Sequence, residues 1–292
     1  MSGADQPRVV SASRRTDLPK WYPDWLEDAL ARGEATFRHP RGRLLSVSLE
    51  PELVHTFVLW SKDYSELFSR AALLERLRRL DPFFHFTLTG LGGSPWEPGV
   101  PAPREALRQM AALAGEFGPE RLAWRFDPII VWDEPRGGTQ GSGTRTNLEA
   151  FEELAPKAAQ LGVRRVHFSF VDLYPKVMRR AGKRELRLRT LGAEEREAAL
   201  EYLNEVAAAN GLTLAGCAGT ASGATGSGGT AERAAACIDA RYLDSINGRS
   251  LEAEGAEDLS QRDECRCTKS VDIGSYAMPC RSGCVYCYAT PA

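Results

Sequence analysis

The residues with the clearest chemical potential are cysteines, and they are concentrated toward the C-terminal end of the chain. The sequence has seven cysteines in 292 residues, none of them before Cys217. Three of them lie in one short segment, Cys280-Arg-Ser-Gly-Cys284-Val-Tyr-Cys287, with the spacing C-x3-C-x2-C. Three thiolates in a tight loop can hold one [4Fe–4S] cubane and leave its fourth iron open to an exchangeable ligand. Cys280, Cys284 and Cys287, called the triad below, are therefore predicted to bind such a cluster.

Zinc is the alternative for the triad, because closely spaced cysteines also bind zinc. Zinc ligands usually occur as C-x2-C pairs, so three cysteines in one loop favour the cluster. Gly283 allows the chain to turn closely around it. A disulfide framework is disfavoured, because the number of cysteines is odd and the sequence shows no secretory signal.

The other four cysteines, called the quartet below, are Cys217, Cys237, Cys265 and Cys267. Four thiolates are the number needed to close a second metal site fully. A second [4Fe–4S] cluster here could relay an electron to the first, whereas zinc would join the glycine-rich segment to the C-terminal strand. Because one C-x-C pair with two distant cysteines is a loose pattern, a quartet that binds nothing is a third alternative.

The elements that must position these cysteines alternate between β-rich runs and longer runs with helical spacing. This pattern predicts an α/β fold with parallel strands and crossover helices, here a partial or complete (β/α) barrel of the TIM type. One domain is expected over residues 1–292, with a cysteine-rich cluster-binding segment at 261–292. The predicted strands are residues 8–13, 55–60, 83–89, 122–130, 165–171, 212–217 and 269–273. The predicted helices are residues 64–80, 103–116, 146–161 and 193–209.

Three other segments carry weaker signals. The apolar run at 44–49 suits a strand or part of a hairpin. The stretches at 134–144 and 219–229 are rich in glycine, serine and threonine, which predicts flexible loops. Neither has the residues of a phosphate-binding loop, so nucleotide binding is disfavoured.

Polar side chains occur where most of the predicted strands end. In a β/α barrel such residues meet at one mouth, where active sites are built. An anionic small-molecule substrate is expected, because four of these residues are cationic. The alternative for any single residue is that strand ends are simply polar surface loops. The predicted catalytic residues are Arg14, Arg15, Asp17, Lys62, Arg125 and Asp127.

Aromatic and imidazole side chains within the strands are interpreted as packing residues. His55, His85 and His167 lie within or at the start of predicted strands, beside aromatic residues. Trp60, together with the aromatic residues at 124 and 126, is likewise assigned to the core rather than to substrate stacking.

Composition limits the expected partners and location. The apolar fraction of 43% and charged fraction of 26% are typical of a soluble globular protein. A net charge of −2 gives no general reason to bind nucleic acid or an anionic membrane, although the basic residues at 14–15 and 178–189 keep nucleic acid as an alternative. No apolar run approaches the roughly 18 residues of a membrane span, so a cytoplasmic location is expected.

The triad resembles the cluster-binding motif of radical S-adenosylmethionine (SAM) enzymes, with Tyr286 at the aromatic position before the last cysteine. This resemblance implies that SAM binds the open iron, that an electron from the reduced cluster cleaves SAM to a 5′-deoxyadenosyl radical, and that Tyr286 packs near the adenine. Those enzymes carry the triad after their first strand, whereas here it follows the last one, so a circular permutation is expected. Their Gly-Gly-Glu segment is absent, and Asp17 or Glu97 is expected to bind the methionine amino group instead. Loop capping or surface pairing is the alternative for both residues.

Nearly the whole chain also resembles the family catalogued as domain of unknown function 1848. The resemblance implies a radical SAM-like cluster without an established reaction, and a reductant such as ferredoxin or flavodoxin is then expected as a partner. One alternative function is a [4Fe–4S] protein for electron transfer or redox sensing that does not cleave SAM. Another is a zinc-stapled binding module. The landmarks of the resemblance are residues 11–17 (SASRRTD), 59–62 (LWSK), 85–89 (HFTLT), 124–128 (WRFDP) and 261–274 (QRDECRCTKSVDIG).

Overall fold

The computed structural model describes residues 6–39, 42–133, 143–217, 236–251, 257–258, 261 and 265–289. The predicted loop at 219–229 and most of the one at 134–144 lie outside these residues. No helix in the described ranges is long and apolar enough to cross a membrane.

A seven-stranded parallel sheet is the centre of the fold, and its strands confirm all seven strand predictions. The strands, in chain order, are β1 (Arg8–Ala12), β4 (Val54–Ser61), β5 (Pro82–Thr87), β6 (Leu122–Ile129), β9 (Arg165–Phe170), β11 (Thr213–Gly216) and β12 (Ser270–Asp272). Their order in the sheet is β11-β9-β6-β5-β4-β1-β12. All the pairings are parallel, so the carboxyl ends of the strands lie at one edge of the sheet.

Two small antiparallel sheets flank the parallel one. β2 (Glu34–Arg38) pairs with β3 (Leu44–Ser48), so the apolar run at 44–49 forms a strand. The other small sheet contains β7 (Val131–Asp133), β8 (Thr144–Thr146) and β10 (Arg187–Arg189), in the order β10-β7-β8.

The helices confirm three of the four predicted segments and correct the fourth. The helix predicted at 64–80 is broken in two at Arg70, whose backbone is not helical (φ −126°, ψ 84°). The Arg70 guanidinium pairs with Asp24 and Glu27. The first five helices are α1 (Leu18–Trp21), α2 (Pro23–Arg32), α3 (Ser65–Phe68), α4 (Ala71–Arg78) and α5 (Pro103–Phe117). The others are α6 (Leu148–Gln160), α7 (Pro175–Lys183), α8 (Ala193–Ala209) and α9 (Ala240–Asn247).

The two faces of the parallel sheet pack against different parts of the protein, because side chains alternate between the faces along each strand. One face packs against helices in the main core, with large buried side chains such as Phe84, Trp124 and Phe168. The other face, called the inner face below, packs against α9 and its flanking residues, including Cys237 and Leu243. Because both faces are covered, the side chains on both sides of each strand are mostly apolar, and the strands are nearly continuous apolar runs in the sequence.

The described residues form no closed barrel, so the prediction of a complete TIM barrel is not confirmed. β11 and β12 are the two edges of the sheet. A TIM barrel closes with eight strands, whereas the described sheet has seven. Between these two edge strands in the sequence, residues 236–251 form α9 and its flanks and pack on the inner face instead of adding a strand.

Candidate functional site

A cavity of about 400 Å³ lies at the carboxyl ends of the parallel strands. Residues from distant parts of the chain line it, including all seven cysteines and all six predicted catalytic residues. Glu97 lies behind this lining and is 1% exposed. The structure therefore brings both cysteine groups to one cavity. The predicted residues in its lining are Arg14, Arg15, Asp17, Lys62, Arg125, Asp127, Tyr286 and the triad and quartet cysteines.

The triad loop is held against the rest of the protein through its backbone. Arg180 of α7 donates from Nη1 to the carbonyl oxygen of Cys284 at 3.1 Å and from Nη2 to that of Cys287 at 2.7 Å. Gly283 has a φ of +68°, a left-handed conformation that favours glycine. A Cβ atom at Gly99 would lie 2.8 Å from the Ser282 carbonyl oxygen, so the loop packs tightly on this neighbouring segment.

The triad thiols are largely removed from solvent. Cys284 is 5% exposed, and burial raises the pKa values of both Cys280 and Cys284. Such thiols stay protonated at neutral pH unless a cation binds them. Within the described ranges, no three His, Cys, Asp or Glu side chains form a site for a single metal ion. The ligands of a cubane bind four separate iron atoms rather than one ion. The absence of a single-ion site among the described residues therefore does not test for a cluster.

The quartet gathers thiols from three separate segments of the chain. The Sγ atoms of Cys217, just after β11, and Cys237, before α9, are 4.0 Å apart. Hydrogen bonds from Cys217 and Cys267 hold the pKa of Cys237 well below its usual range. The neighbouring thiol and backbone N–H of Cys267 lower the pKa of Cys265 to about 6. Arg125 Nη1 donates to Cys237 Sγ at 3.0 Å, an interaction suited to a thiolate.

Glu97 is a buried anchor for residues on three segments. Its Oε1 accepts hydrogen bonds from Lys62 Nζ at 2.9 Å, from Thr89 Oγ1 at 2.6 Å and from the Tyr286 hydroxyl. Burial would lower the pKa of Lys62, but the charge of Glu97 and its hydrogen bond with Lys62 raise it above the ordinary value. The Tyr286 ring lies 5.6 Å from Lys62 Nζ. Glu97 thus fixes the aromatic side chain that precedes the last triad cysteine.

Asp17 has a capping role in addition to lining the cavity. Its Oδ1 accepts from Ser61 Oγ at 2.7 Å and from the Lys20 N–H at 3.1 Å, where it caps α1. Its Oδ2 accepts from the Lys62 N–H at 3.4 Å. Burial raises the pKa of Asp17 to about 7. The alternative of loop capping therefore describes the contacts that Asp17 makes.

Asp272, which the sequence reasoning missed, connects the strand before the triad to the first loop of the chain. Its carboxylate accepts from Ser11 Oγ at 2.9 Å, Ser13 Oγ at 2.7 Å, the Arg14 N–H at 2.8 Å and the Gly274 N–H at 3.0 Å. The Arg15 guanidinium lies 3.5 Å away and also donates to two carbonyl oxygens of residues 272–274. The position of Asp272 at the end of a strand with an apolar neighbour on each side was the available signal.

The predicted cations of the cavity all have acidic partners. Arg14 lies 3.8 Å from Asp258, Arg15 lies 3.5 Å from Asp272, and Lys62 lies 2.9 Å from Glu97. Arg125 pairs with Asp127, which also accepts from Ser169. Each pair largely cancels its own field, so these residues do not give the strongly positive mouth expected from the sequence.

Arg196 is the cationic cavity residue without a carboxylate partner in the described part of the chain. It lies in the first turns of α8, and its guanidinium stacks over the Phe170 ring, 5.0 Å from the ring centroid. This stacking fixes the guanidinium and leaves its N–H groups available. No sequence pattern indicated Arg196, which is one of many charged residues on a helix.

Trp60 lines the cavity in addition to packing on the inner face. Its ring stacks on His85 with centroids 3.9 Å apart, and the Arg14 and Arg125 guanidinium carbons lie 5.5 and 5.1 Å from its centroid. His85 Nε2 contacts the Cys237 carbonyl oxygen at 2.9 Å, so its role is structural, as predicted. His167 is buried, and among the described residues its two ring nitrogens have no hydrogen-bond partner, while burial lowers its pKa to about 4.

Comparisons with known proteins give one match. No curated protein and no solved structure matches the chain. A family model described as a domain of unknown function (DUF1848) matches residues 9–289. This match spans nearly the whole sequence, from β1 to the end of the triad loop. The chain therefore belongs to the DUF1848 family.

Proposed function

We propose that this chain is an iron–sulfur protein of the radical SAM type, with a [4Fe–4S] cluster bound by Cys280, Cys284 and Cys287. The observation that carries the proposal is the placement of the triad. Three thiols from one short loop line a cavity at the carboxyl ends of a parallel sheet, directly after β12. Their chemistry fits a cluster, because thiolates are the usual ligands of iron–sulfur clusters.

The order of the strands supports a partial barrel that is circularly permuted relative to radical SAM enzymes. Starting at β12, the neighbours across the sheet are β1, β4, β5, β6, β9 and β11, which follow one another in the chain. A chain that began at β12 would therefore have its triad after the first strand. This is the position that the resemblance to radical SAM enzymes implies.

The cavity residues suggest how the chain would support this chemistry. When bound, the cluster would supply the electron that cleaves SAM, with the amino and carboxylate groups of SAM on the open iron. Tyr286 is held by Glu97 at a fixed position beside the triad, where it can pack against a planar group. Asp17 faces the same cavity and is the carboxylate proposed to accept from the SAM amino group.

The quartet is proposed as a second metal site, either another [4Fe–4S] cluster or a zinc ion. Zinc would require the thiolates to move closer together, because no three His, Cys, Asp or Glu side chains of the described residues form a site for a single metal ion. Four cysteine side chains from three segments meet beside the same cavity, which supports a shared ligand. A cluster here would relay electrons to the triad, whereas zinc would hold β11, α9 and the segment before β12 together. None of the seven cysteines, all of which are described, forms a disulfide, which is compatible with the proposed cytoplasmic location.

The substrate is proposed to be a small molecule with an anionic group that binds Arg196. We expect Arg196→Gln to raise the KM for that substrate at least about tenfold, because a charge-assisted hydrogen bond is lost. SAM cleavage in the absence of substrate should stay unchanged. The measurement is SAM turnover with a panel of carboxylates and phosphate esters, using Arg241→Gln, at an exposed position outside the cavity, as the control. Equal turnover by both variants with every stimulating compound would contradict this role.

SAM cleavage itself provides the test of the proposed function. The anaerobically reconstituted protein should contain about four iron and four sulfide ions for the triad, and about four more of each if the quartet binds a second cluster. With dithionite and SAM it should form 5′-deoxyadenosine, which chromatography with mass spectrometry detects. Zinc without iron would contradict the proposal for the triad.

The alternative function is electron transfer or redox sensing by one or two clusters without cleavage of SAM. One observation favours it: both carboxylates expected to bind SAM already accept hydrogen bonds from the protein itself. An iron-containing protein that forms no 5′-deoxyadenosine with dithionite would support this alternative.

A further inference from the structure

A strongly basic surface surrounds α7, next to the triad loop. Residues 175–189 contain seven basic side chains and one acidic side chain, although the whole chain has a net charge of −2. We define the α7 surface as Lys176, Arg179, Lys183, Arg184 and Arg187. All but the half-buried Lys176 are exposed. The charge is therefore concentrated at one place, which calls for a specific explanation.

The α7 surface is structurally coupled to the triad. On the opposite side of α7, Val177 and Ala181 are buried in one cluster with Cys284, Val285 and Tyr286. Arg184 donates from Nη1 to the Gly283 carbonyl oxygen at 3.4 Å and to that of Pro95 at 3.2 Å. A helix with its side chains is about 10 Å across, so a partner on this surface would lie within about that distance of the triad backbone.

We infer that the α7 surface is the docking site for a small acidic electron-carrier protein that reduces the triad cluster. The inference rests on the proposed function, since it requires a cluster at the triad. Electron tunnelling becomes much slower with distance, so an electron donor must bind close to the acceptor. The donor would lose one electron and the cluster would gain it, with no bond made or broken.

Two further features suit a protein partner. Met178, at 41% exposure, lies among the basic residues of α7, and an exposed apolar side chain can anchor the centre of an otherwise charged interface. Complementary charge also accelerates association between proteins, which a transient electron carrier needs. Nucleic acid would use the same charges, but it would not need the contacts to the triad loop. An acidic electron carrier therefore accounts for more of the observations.

The test compares two reductants on the reconstituted protein. Reduced flavodoxin, an acidic flavoprotein, serves as the docking donor, and dithionite serves as a small donor that needs no docking site. The variant Arg179→Gln/Lys183→Gln/Arg187→Gln changes three exposed residues and keeps Arg180 and Arg184, which donate hydrogen bonds to the triad loop. Its second-order rate constant for reduction by flavodoxin, measured by stopped-flow absorbance, should fall about tenfold at low ionic strength. Its rate of reduction by dithionite should equal that of the wild type.

A matched control also removes three positive charges, but outside the α7 surface. The variant Arg76→Gln/Arg104→Gln/Arg241→Gln replaces exposed arginines of α4, α5 and α9 and should keep the wild-type rate with flavodoxin. Added salt should slow the wild type and the control, and affect the α7 variant less.

Three results would overturn the inference. Equal flavodoxin rates for the α7 variant and the wild type, with normal dithionite reduction, would contradict the docking inference but not the proposed function. The same equal rates, with binding of a short RNA lost only in the α7 variant, would assign the surface to nucleic acid. A wild-type protein without any cluster that dithionite can reduce would contradict the proposed function and the docking inference with it.

Discussion

Replacing Cys280, Cys284 and Cys287 together by serine should remove about four iron atoms per chain and abolish the formation of 5′-deoxyadenosine. A serine hydroxyl is a far weaker ligand for iron than a thiolate, and all three protein ligands are lost at once. Iron and sulfide analysis of the anaerobically reconstituted variant gives the first readout. Product analysis with dithionite and SAM gives the second.

The matched control is the double variant Cys217→Ser/Cys237→Ser, which alters the quartet and leaves the triad intact. It should keep about four iron atoms per chain, and it should lose zinc or further iron, depending on which metal the quartet binds. Circular dichroism of both variants shows whether they are folded. A folded triad variant that keeps its full iron content and still cleaves SAM would contradict the assignment of the cluster.

Asp272→Ala should lower the free energy of unfolding by about 3 to 5 kcal/mol. The substitution leaves two serine hydroxyls and two backbone N–H groups without an acceptor, and it leaves the Arg15 guanidinium without its ion-pair partner. Asp272→Asn should cost less, about 1 to 3 kcal/mol, because the amide oxygen can still accept hydrogen bonds. Urea unfolding followed by circular dichroism measures both values.

Asp24→Ala is the control for the loss of an aspartate in an ion pair. Asp24 pairs with Arg70 at 2.6 Å, but its side chain is 85% exposed, so its loss should cost less than about 1 kcal/mol. If Asp272→Ala is as stable as Asp24→Ala, the carboxylate does not hold the first loop to the strand before the triad.

The sheet was predictable to a large degree because its strands are short apolar runs bounded by polar residues. β4 (VHTFVLWS) and β6 (LAWRFDPI) are buried along most of their length, and such runs indicate parallel strands covered on both faces. That the sheet of the described residues stays open was not predictable. It depends on the packing of α9 on the inner face, which joins residues distant in the sequence.

Helix α7 was not predicted from the spacing of apolar residues. Its sequence, PKVMRRAGK, contains few apolar residues, so the helical pattern is weak even though Val177 and Ala181 are buried. The short helices α1 and α2 also follow directly after a loop that was assigned entirely to the cavity mouth. Local patterns therefore identified the elements that fill the core better than those that surround the triad.

The sequence was sufficient to predict which cationic residues line the candidate site, but not which carboxylates they pair with. Residue types and positions at strand ends indicated Arg14, Arg15, Lys62 and Arg125, and all of them line the cavity. Their carboxylate partners could not be inferred, since the partners of Arg14 and Arg15 lie more than 200 positions later in the chain. The same limitation hid Arg196, whose significance depends on its having no carboxylate partner among the residues that the structure describes.

The most direct test of the central claim is electron paramagnetic resonance of the dithionite-reduced protein, recorded before and after addition of SAM. A cluster with an open iron at the triad should give a signal that shifts when SAM binds to that iron. The quartet variant Cys217→Ser/Cys237→Ser should show the same shift, because its triad is intact. A reduced-cluster signal that SAM leaves unchanged in both proteins would contradict the proposed function.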